Sequence, residues 1–377
     1  MFWNKLIVKK RISKMNTIKL ILVALLISCF GTISAQFTDT KTISKKFAVT
    51  PDTRIEVTNK YGDIEFNTWE KDSVVFLISI KVEERKLSRL EKSMAQIDFD
   101  FTNSRHFIIA RTAIGKNMNL LEKEFLKFKE TILQPEGSME IHYKIWLPAQ
   151  NSLKVENKFG NVYLGDFNGR TEIDLSNGNL KAHDFTGRLE LNLNFADATL
   201  NSVKTARLNC NYSNFYLKSA DNLRIASKSS TLEIQEVNDL DTDSRRDKFR
   251  ITQAGSVIGQ GNFSNFRINE LTGRLNLRAD YGDIDIRETA VDFSNILIES
   301  KSADVNLYFH NESNFGFEIT HEKSKLYLCN EMHVAEEKTL DEKENRIELK
   351  GTFSNGNDLP AKLYINAVSG EVNIFAH

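Results

Sequence analysis

Residues Asn59–Phe66 read NKYGDIEF, and this eight-residue pattern decides the fold because it recurs along the chain. Each copy has a polar residue, a variable pair, a small residue, a second polar residue and an apolar-x-apolar end. The close copies are Asn157–Leu164 (NKFGNVYL), Asp280–Ile286 (DYGDIDI) and Ser300–Leu307 (SKSADVNL). Self-similarity of this kind is the sequence signature of stacked repeats.

The small residue of the pattern marks the interval between repeats, which is about 17 to 27 residues. An interval of this size is the length of one coil in a stacked array. Gly, Ala or Ser is expected where the backbone bends tightly or a neighbouring coil approaches closely. We assign this position to Gly160, Gly178, Ala196, Ser213, Ser230, Gly255, Gly282, Ala303 and Ser324.

Between the small residues, apolar and polar side chains alternate, as in Thr171–Leu175 (TEIDL) and Arg188–Leu193 (RLELNL). This period of two predicts half-buried strands. One repeat buries roughly four large apolar side chains, worth about 6–12 kcal/mol, whereas ordering its residues costs on the order of 27 kcal/mol. A single repeat therefore cannot fold alone. The sequence predicts an all-β chain, mainly a parallel β-solenoid with coils of about 17–27 residues.

The first 35 residues have the features of a secretory signal peptide. Six cations precede the apolar run Leu20–Leu26, and a small-residue stretch ends at Ala35. Cleavage there removes six of the 50 cations and none of the 51 anions, which leaves a net charge of about −7. We therefore expect export to the periplasm, the outer-membrane surface or the medium, with no transmembrane span in the mature chain. Such a charge disfavours a nucleic-acid partner.

A lipid anchor is the alternative interpretation of this segment. Leu26–Cys29 (LISC) resembles a bacterial lipobox with Cys29 as the lipidated residue, although Ile27 fits that motif poorly. Cleavage after Ala35 is favoured.

Residues 36–150 are predicted to form a β-rich region with a helical insertion, and residues 151–377 the solenoid repeats. Helical spacing of apolar residues predicts one helix near Leu87–Ile97 and a second near Leu121–Ile132. Between them, Ile97–Phe101 and Phe107–Arg111 alternate as strands do. We expect an inserted helix to cap the open end of the stack in preference to lying on a membrane, because the segment has no cationic face.

Cys210 and Cys329 are the cysteines that remain after cleavage. An exported protein can form a disulfide from two such residues. Both lie at the ends of apolar strand patterns, so packing as small apolar side chains is the favoured interpretation.

The acidic run Asp239–Asp243 (DLDTD) is the best candidate for chemistry, together with Asp283 and Asp285. It lacks the Gly and distal Glu of a calcium loop, and Leu240 and Thr242 alternate inward as in an ordinary strand. The seven His residues show no metal-ligand spacing. The sequence thus predicts a non-enzymatic protein without catalytic residues, cofactor or metal. A carbohydrate-active enzyme is the alternative, and it requires an acidic groove with a cation nearby.

Aromatic side chains in strands are usually chosen for packing or β-propensity. If they are exposed, they can stack on sugars. The candidates for such stacking are Trp69, Trp146, Tyr212 and Tyr216.

The segments Arg54–Phe66 followed by Trp69, Tyr281–Ile286 (YGDIDI) and Ser369–Ile374 (SGEVNI) resemble the DUF4097-type adhesins. This resemblance covers the chain from about Lys41 onward. It implies an exported or surface-associated bacterial β-solenoid, typical of Bacteroidota, that binds a cell-surface protein or glycan. The family context also suggests an envelope stress-sensing partner as a further alternative.

Overall fold

A computed structural model describes residues 36–115, 137–353 and 359–377. The predicted signal peptide, Cys29 and the second predicted helix lie outside these residues. The described chain divides into two compact units. One contains residues 36–39, 81–96 and 137–138, and the other contains residues 40–80, 97–115, 139–353 and 359–377.

The predicted all-β class is confirmed, since 22 strands of one sheet and one helix make up the regular structure of the described residues. The helix α1 is Leu87–Ala95, where the first helix is predicted, and it buries Leu90. Its predicted capping role stays a prediction. The strands are β1 (Phe37–Ala48), β2 (Arg54–Lys60), β3 (Ile64–Thr68), β4 (Ser73–Glu84), β5 (Ile97–Asn103), β6 (Phe107–Ile114), β7 (Ser138–Leu147), β8 (Ser152–Lys158), β9 (Val162–Leu164), β10 (Thr171–Ser176), β11 (Asn179–Asn194), β12 (Asp197–Asn211), β13 (Asn214–Lys228), β14 (Thr231–Arg245), β15 (Lys248–Ile286), β16 (Asn295–Phe309), β17 (Phe315–Glu322), β18 (Lys325–Tyr327), β19 (Met332–Asp341), β20 (Arg346–Phe353), β21 (Ala361–Val368) and β22 (Glu371–Ala376).

Parallel pairing with a nearly constant offset organises most of the second unit. Ile173 pairs with Leu191 at an offset of 18 residues, and Leu208 pairs with Ile225 at an offset of 17. The offset becomes 21 where Leu275 pairs with Ile296. We call each stretch that pairs in this way with the next a rung. Alternate residues of every rung are buried, so in-register pairing lines up their apolar side chains in a continuous core.

The rungs do not follow the order of the sequence at either end of this array. Ile55 of β2 pairs with Ile108 on one side and with Leu153 on the other. Near the C-terminus, Leu363 of β21 lies between Ile296 and Phe317. The chain boundary at residue 150 stays a prediction, and β2 and β8 are hydrogen bonded across it.

Antiparallel pairing also occurs, which the predicted parallel repeat does not include. Strands β5 and β6 pair in this way, as do β17 with β20 and β19 with β20. The strands β5 and β6 confirm the strands predicted at Ile97–Phe101 and Phe107–Arg111. In both places a local hairpin interrupts the parallel repeat.

A left-handed residue turns the chain at one equivalent point of each rung, which we call the corner. Twelve described residues hold this place, with φ between 49° and 66°. Backbone hydrogen bonds link one corner to the next, as from Phe159 N to Ser176 O (3.0 Å) and from Tyr212 N to Lys228 O (2.9 Å). The corner residues are Tyr61, Phe159, Asn177, Phe195, Tyr212, Ser229, Arg246, Phe263, Tyr281, Ser302, Lys323 and Ser369.

The residue after each corner points inward and meets the backbone of the neighbouring rung. A Cβ atom at Gly160 would overlap the carbonyl oxygen of Gly62, and one at Gly178 would overlap that of Gly160. The predicted alignment of the small residues is therefore correct for these rungs. The side chain of the residue after the corner must be small because the backbones of paired strands lie only about 4.8 Å apart.

The assignment of Gly255 to this position is wrong. The corners Arg246 and Phe263 show that the equivalent residues are Asp247 and Ser264. Asp247 is 1% exposed, and its carboxylate accepts hydrogen bonds from Ser227 Oγ (2.7 Å), Ser244 Oγ (2.7 Å), Ser230 N (2.7 Å) and Arg245 N (2.9 Å). A larger residue fits because hydrogen bonds satisfy its carboxylate. The two long intervals beside Gly255 thus become three regular ones of 17, 17 and 18 residues.

Substitution of Gly160 by Ala should lower the free energy of unfolding by about 2–3 kcal/mol, because the new methyl group must displace the backbone of Gly62. The matched control is Gly165→Ala, since a Cβ at Gly165 meets no atom within 4 Å. That variant should change stability by less than about 0.5 kcal/mol. Urea denaturation measures both effects. Equal stability of the two variants would contradict the close stacking at the corner.

The substitution Asp247→Ala should cost about 3 kcal/mol or more, because it leaves two serine hydroxyls and two backbone N–H groups without their buried acceptor. Asp247→Ser should cost less, since Ser230 and Ser264 occupy the same place in neighbouring rungs. Thermal unfolding followed by circular dichroism checks the order of the three proteins. An alanine variant as stable as the serine variant would show that these hydrogen bonds contribute little.

Candidate functional site

Six of the twelve corner residues are aromatic, and they form the aromatic column, the surface feature that packing explains least. Five of them are between 43% and 62% exposed, and Tyr61 is half-buried. The side chain projects outward because the left-handed backbone turns it away from the core. The members of the column are Tyr61, Phe159, Phe195, Tyr212, Phe263 and Tyr281.

The rings of the column stack in three pairs. Tyr61 and Phe159 have ring centroids 5.6 Å apart, Phe195 and Tyr212 5.0 Å, and Phe263 and Tyr281 4.6 Å, with interplanar angles of 15°, 4° and 4°. Each pair leaves one face of each ring turned away from its partner. The column spans nine rungs, or about 38 Å at roughly 4.8 Å per rung. It is thus long enough for an extended ligand.

Cationic side chains accompany the rings. Lys60 Nζ lies 4.5 Å from the ring centroid of Tyr61 and 5.8 Å from that of Phe159. Lys228 Nζ lies 5.5 Å from the ring centroid of Tyr212. These lysines precede a corner residue in their own rungs, so the corner and the residue before it form one continuous edge.

The fold does not select the rings of the column, which distinguishes them from ordinary packing. A left-handed backbone costs roughly 1–2 kcal/mol at a corner residue other than Gly, and the cost is the same with or without a ring because Ser, Asn and Arg corners have the same backbone. Ring stacking returns only about 0.5–1.5 kcal/mol per pair, and the outer ring faces stay in water. Ser229 and Ser302 occupy the same corner without a ring, so the fold does not require an aromatic residue there.

Of the predicted sugar-stacking residues, only Tyr212 lies in the column. Trp69, Trp146 and Tyr216 are half-buried on strands or loops elsewhere. Trp69 Nε1 donates a hydrogen bond to Ser73 O (2.8 Å), which ties this indole to its own loop. The other five aromatic residues of the column were missed because the repeat pattern treats their position as part of a variable pair. The signal in the sequence is an aromatic residue that recurs immediately before the small residue of the repeat, and it would have identified these five residues.

The structure divides the predicted carboxylates between two open grooves. Asp239 and Asp241 line one groove of about 250 Å³ with Arg224 and Arg274. Asp241 and Arg224 are exposed and form an ion pair at 3.3 Å. Leu240 and Thr242 are buried, and Asp239, Asp241 and Asp243 on either side of them are exposed, which confirms the predicted strand face.

The second groove, of about 240 Å³, contains Asp283 and Asp285. Asp285 pairs with Arg267 and Arg287, both at 3.1 Å. Burial raises the pKa of Asp283 above its ordinary value, and the nearby carboxylates of Asp304 and Asp285 raise that pKa further. The four carboxylates therefore do not converge on one groove, and each groove holds two carboxylates with an arginine beside them.

Both cysteines of the described chain are free thiols. Cys210 is buried, as predicted, and burial raises its pKa to about 11. Cys329 is half-buried, and partial burial also raises its pKa.

Within residues 36–115, 137–353 and 359–377, no three His, Cys, Asp or Glu side chains are placed to hold a metal ion. No helix of that same part of the chain has the length and apolar character needed to cross a membrane.

No protein-family model matches the chain, and no curated protein matches it. The DUF4097-type resemblance therefore stays a prediction. Three solved structures that the chain resembles are named a putative cell adhesion protein from Clostridium sporogenes, a putative adhesin from Parabacteroides distasonis and a putative lipid binding protein from the latter species. Each is 13% identical to this chain, and the TM-scores are 0.17, 0.34 and 0.32. Coverage of this chain is 89%, 71% and 70%, and coverage of the other chain is 100%, 98% and 96%. With TM-scores below 0.5, these likenesses carry no argument about fold or function.

The substitution Asp283→Asn should stabilise the protein at pH 7, by less than about 1 kcal/mol, because it removes a charge that burial and two carboxylates disfavour. A raised carboxyl pKa means that stability is lost as the pH rises through the folded-state pKa. The gain in Tm should therefore shrink as the pH falls toward the ordinary Asp range. Asp285→Asn is the control with the opposite expected sign, since it removes two ion pairs. A gain at pH 7 that persists undiminished in acid would contradict this account.

Proposed function

We propose that the protein is exported to the cell envelope and acts there as a non-enzymatic, adhesin-like binding scaffold. In this proposal the paired rungs coil into a parallel β-solenoid, whose outer surface presents side chains in rows. The constant offsets of 17 and 18 residues support this coiled arrangement. The basic and apolar segments of the first 35 residues support export.

The aromatic column is the observation that carries the proposal. Five of its six rings are exposed, and the same corner accepts serine in other rungs, so the fold itself does not select a ring there. Aromatic side chains are enriched at surfaces that bind a partner, relative to the rest of a protein surface. A row of paired rings about 38 Å long suits a ligand that is itself extended.

The enzymatic alternative receives less support from the arrangement of the acidic residues. Acid–base hydrolysis of a glycosidic bond needs two carboxylates that flank the same bond. Asp239 and Asp241 alternate with buried residues on an exposed strand, and the nearby Arg224 neutralises Asp241. No observation in the described chain favours the stress-sensing alternative specifically.

The double substitution of Phe195 and Tyr212 by Ser should weaken binding to envelope material at least tenfold, which corresponds to about 1.4 kcal/mol. Serine is the natural residue at the corners Ser229 and Ser302, so the rungs should remain folded. Sedimentation of the purified protein with insoluble envelope fractions and with an insoluble polysaccharide panel measures the effect.

The matched control is Phe375→Ser. Phe375 is 39% exposed and stacks on Tyr308 at 4.5 Å, yet this ring pair lies outside the column. The control should bind as the unchanged protein does. Binding that survives loss of the Phe195 and Tyr212 rings would overturn the proposal, as would an unchanged protein that binds none of the materials.

A further inference from the structure

The edge formed by each corner residue and the residue before it carries an unusual charge. Between the rungs of Tyr61 and Ser302, this edge contains six cations and one carboxylate. The carboxylate, Asp280, lies 3.5 Å from Arg278 of its own strand. The cations are Lys60, Lys158, Lys228, Arg245, Arg246 and Lys301. This surplus lies on a chain whose overall net charge is −1.

The cations alternate with the ring pairs along the edge. Lys60 and Lys158 adjoin the first pair, and Lys228, Arg245 and Arg246 fill the rungs between Tyr212 and Phe263. Lys301 follows the third pair. The rung between those of Phe159 and Phe195 presents neutral polar groups instead, those of Ser176 and Asn177, and the rung of Phe195 adds Asn194. The edge therefore offers rings, positive charges and hydrogen-bonding groups in turn.

We propose that this edge binds an acidic polysaccharide, a linear glycan whose carboxylate groups are separated by uncharged hydroxyl-bearing surface. This inference rests on the proposed binding function and specifies its ligand. Ring faces contact the apolar faces of sugar rings, and the amides and Ser229 hydrogen bond to hydroxyl groups. The lysines and arginines pair with the carboxylates of the glycan, and an elongated edge engages several sugar units at once.

Spacing and local charge favour a polysaccharide over a nucleic acid. Every nucleotide of a DNA strand carries a phosphate, and within a duplex the phosphates of one strand follow about every 3.4 Å, whereas the cations here are grouped and separated by neutral rungs. The outward position two residues after the corner carries carboxylates, among them Asp63 and Asp197. Asp63 accepts a hydrogen bond from Asn161 N (2.8 Å), and Asp197 accepts one from Asn214 Nδ2 (2.8 Å). Such flanking charge repels a densely anionic polymer more than a sparsely anionic one.

The test measures the affinity of the intact protein for two immobilised probes with the same backbone. The first is polygalacturonate in which some of the carboxylates are blocked as methyl esters, so that uncharged sugars separate the acidic ones, and the second is its full methyl ester. Binding to this partly blocked polygalacturonate should be at least tenfold tighter. Raising NaCl from about 50 mM to about 500 mM should remove most of that preference, because salt screens exposed charges. A single-stranded DNA oligonucleotide is the third probe, and we expect it to bind more weakly than polygalacturonate.

The variant that tests the cations replaces Lys228, Arg245 and Arg246 together by Asn. Asn is native to the equivalent places at Asn177, Asn194, Asn211 and Asn262, so these rungs should keep their fold. The variant should lose at least tenfold in affinity for polygalacturonate and little for the methyl ester. The control replaces the exposed Lys181, Lys204 and Lys218 by Gln, which changes net charge equally away from the edge and should leave both affinities unchanged.

The outcomes separate this inference from the proposed function. If the Phe195 and Tyr212 variant loses binding but the two probes bind equally well, the binding function stands and the acidic ligand is wrong. Tighter binding to DNA than to polygalacturonate would overturn the polysaccharide in favour of a nucleic acid. If the edge variant and the control variant lose the same affinity for polygalacturonate, the overall charge of the protein explains binding and no specific site is needed. This result also contradicts the inference.

Discussion

The close approach of successive backbones at the corner is the constraint on which the rest of the structure depends. Paired rungs lie about 4.8 Å apart, and the main chain at Gly178 leaves no room for a Cβ beside Gly160. The chain therefore turns through a left-handed residue, which directs one side chain outward and the next side chain inward. One steric requirement thus produces two rows, a buried row of small or fully hydrogen-bonded residues and an exposed row.

These two rows are under different physical demands. The inward row is limited by size and by the cost of an unsatisfied buried polar group, so Asp247 is accommodated only because serine hydroxyls and backbone N–H groups surround its carboxylate. The outward row is limited only by backbone strain, and it tolerates Ser, Asn, Arg, Phe and Tyr. The outward row can therefore carry residues chosen for binding, and for this reason the aromatic column and its cations point to a binding surface.

Much of the fold could be predicted from local pattern. Alternation in segments such as Thr171–Leu175 identified strands, and recurring small residues correctly aligned Gly160, Gly178 and Ala196. The assignment of Gly255 was wrong because the equivalent position holds Asp247, which is not small. A buried residue is accepted there when its polar atoms are fully hydrogen bonded. Antiparallel pairing of β20 was also missed, since period-two alternation is the same in both orientations. Most of the candidate site was not predicted because its residues occupy the variable pair of the repeat.

The amino-acid sequence by itself determined that this chain forms strands and where each repeat turns, because alternation and small residues act over a few neighbouring positions. Only the tertiary structure decided which rungs are neighbours, as where β21 enters between β16 and β17. It also decided that rings 17 or more residues apart form one exposed row and that four carboxylates do not form one site. The repeat interval can be read from the sequence, whereas the direction of each corner side chain depends on the left-handed backbone of the paired rungs, and the positions of the carboxylates depend on which faces of those rungs meet.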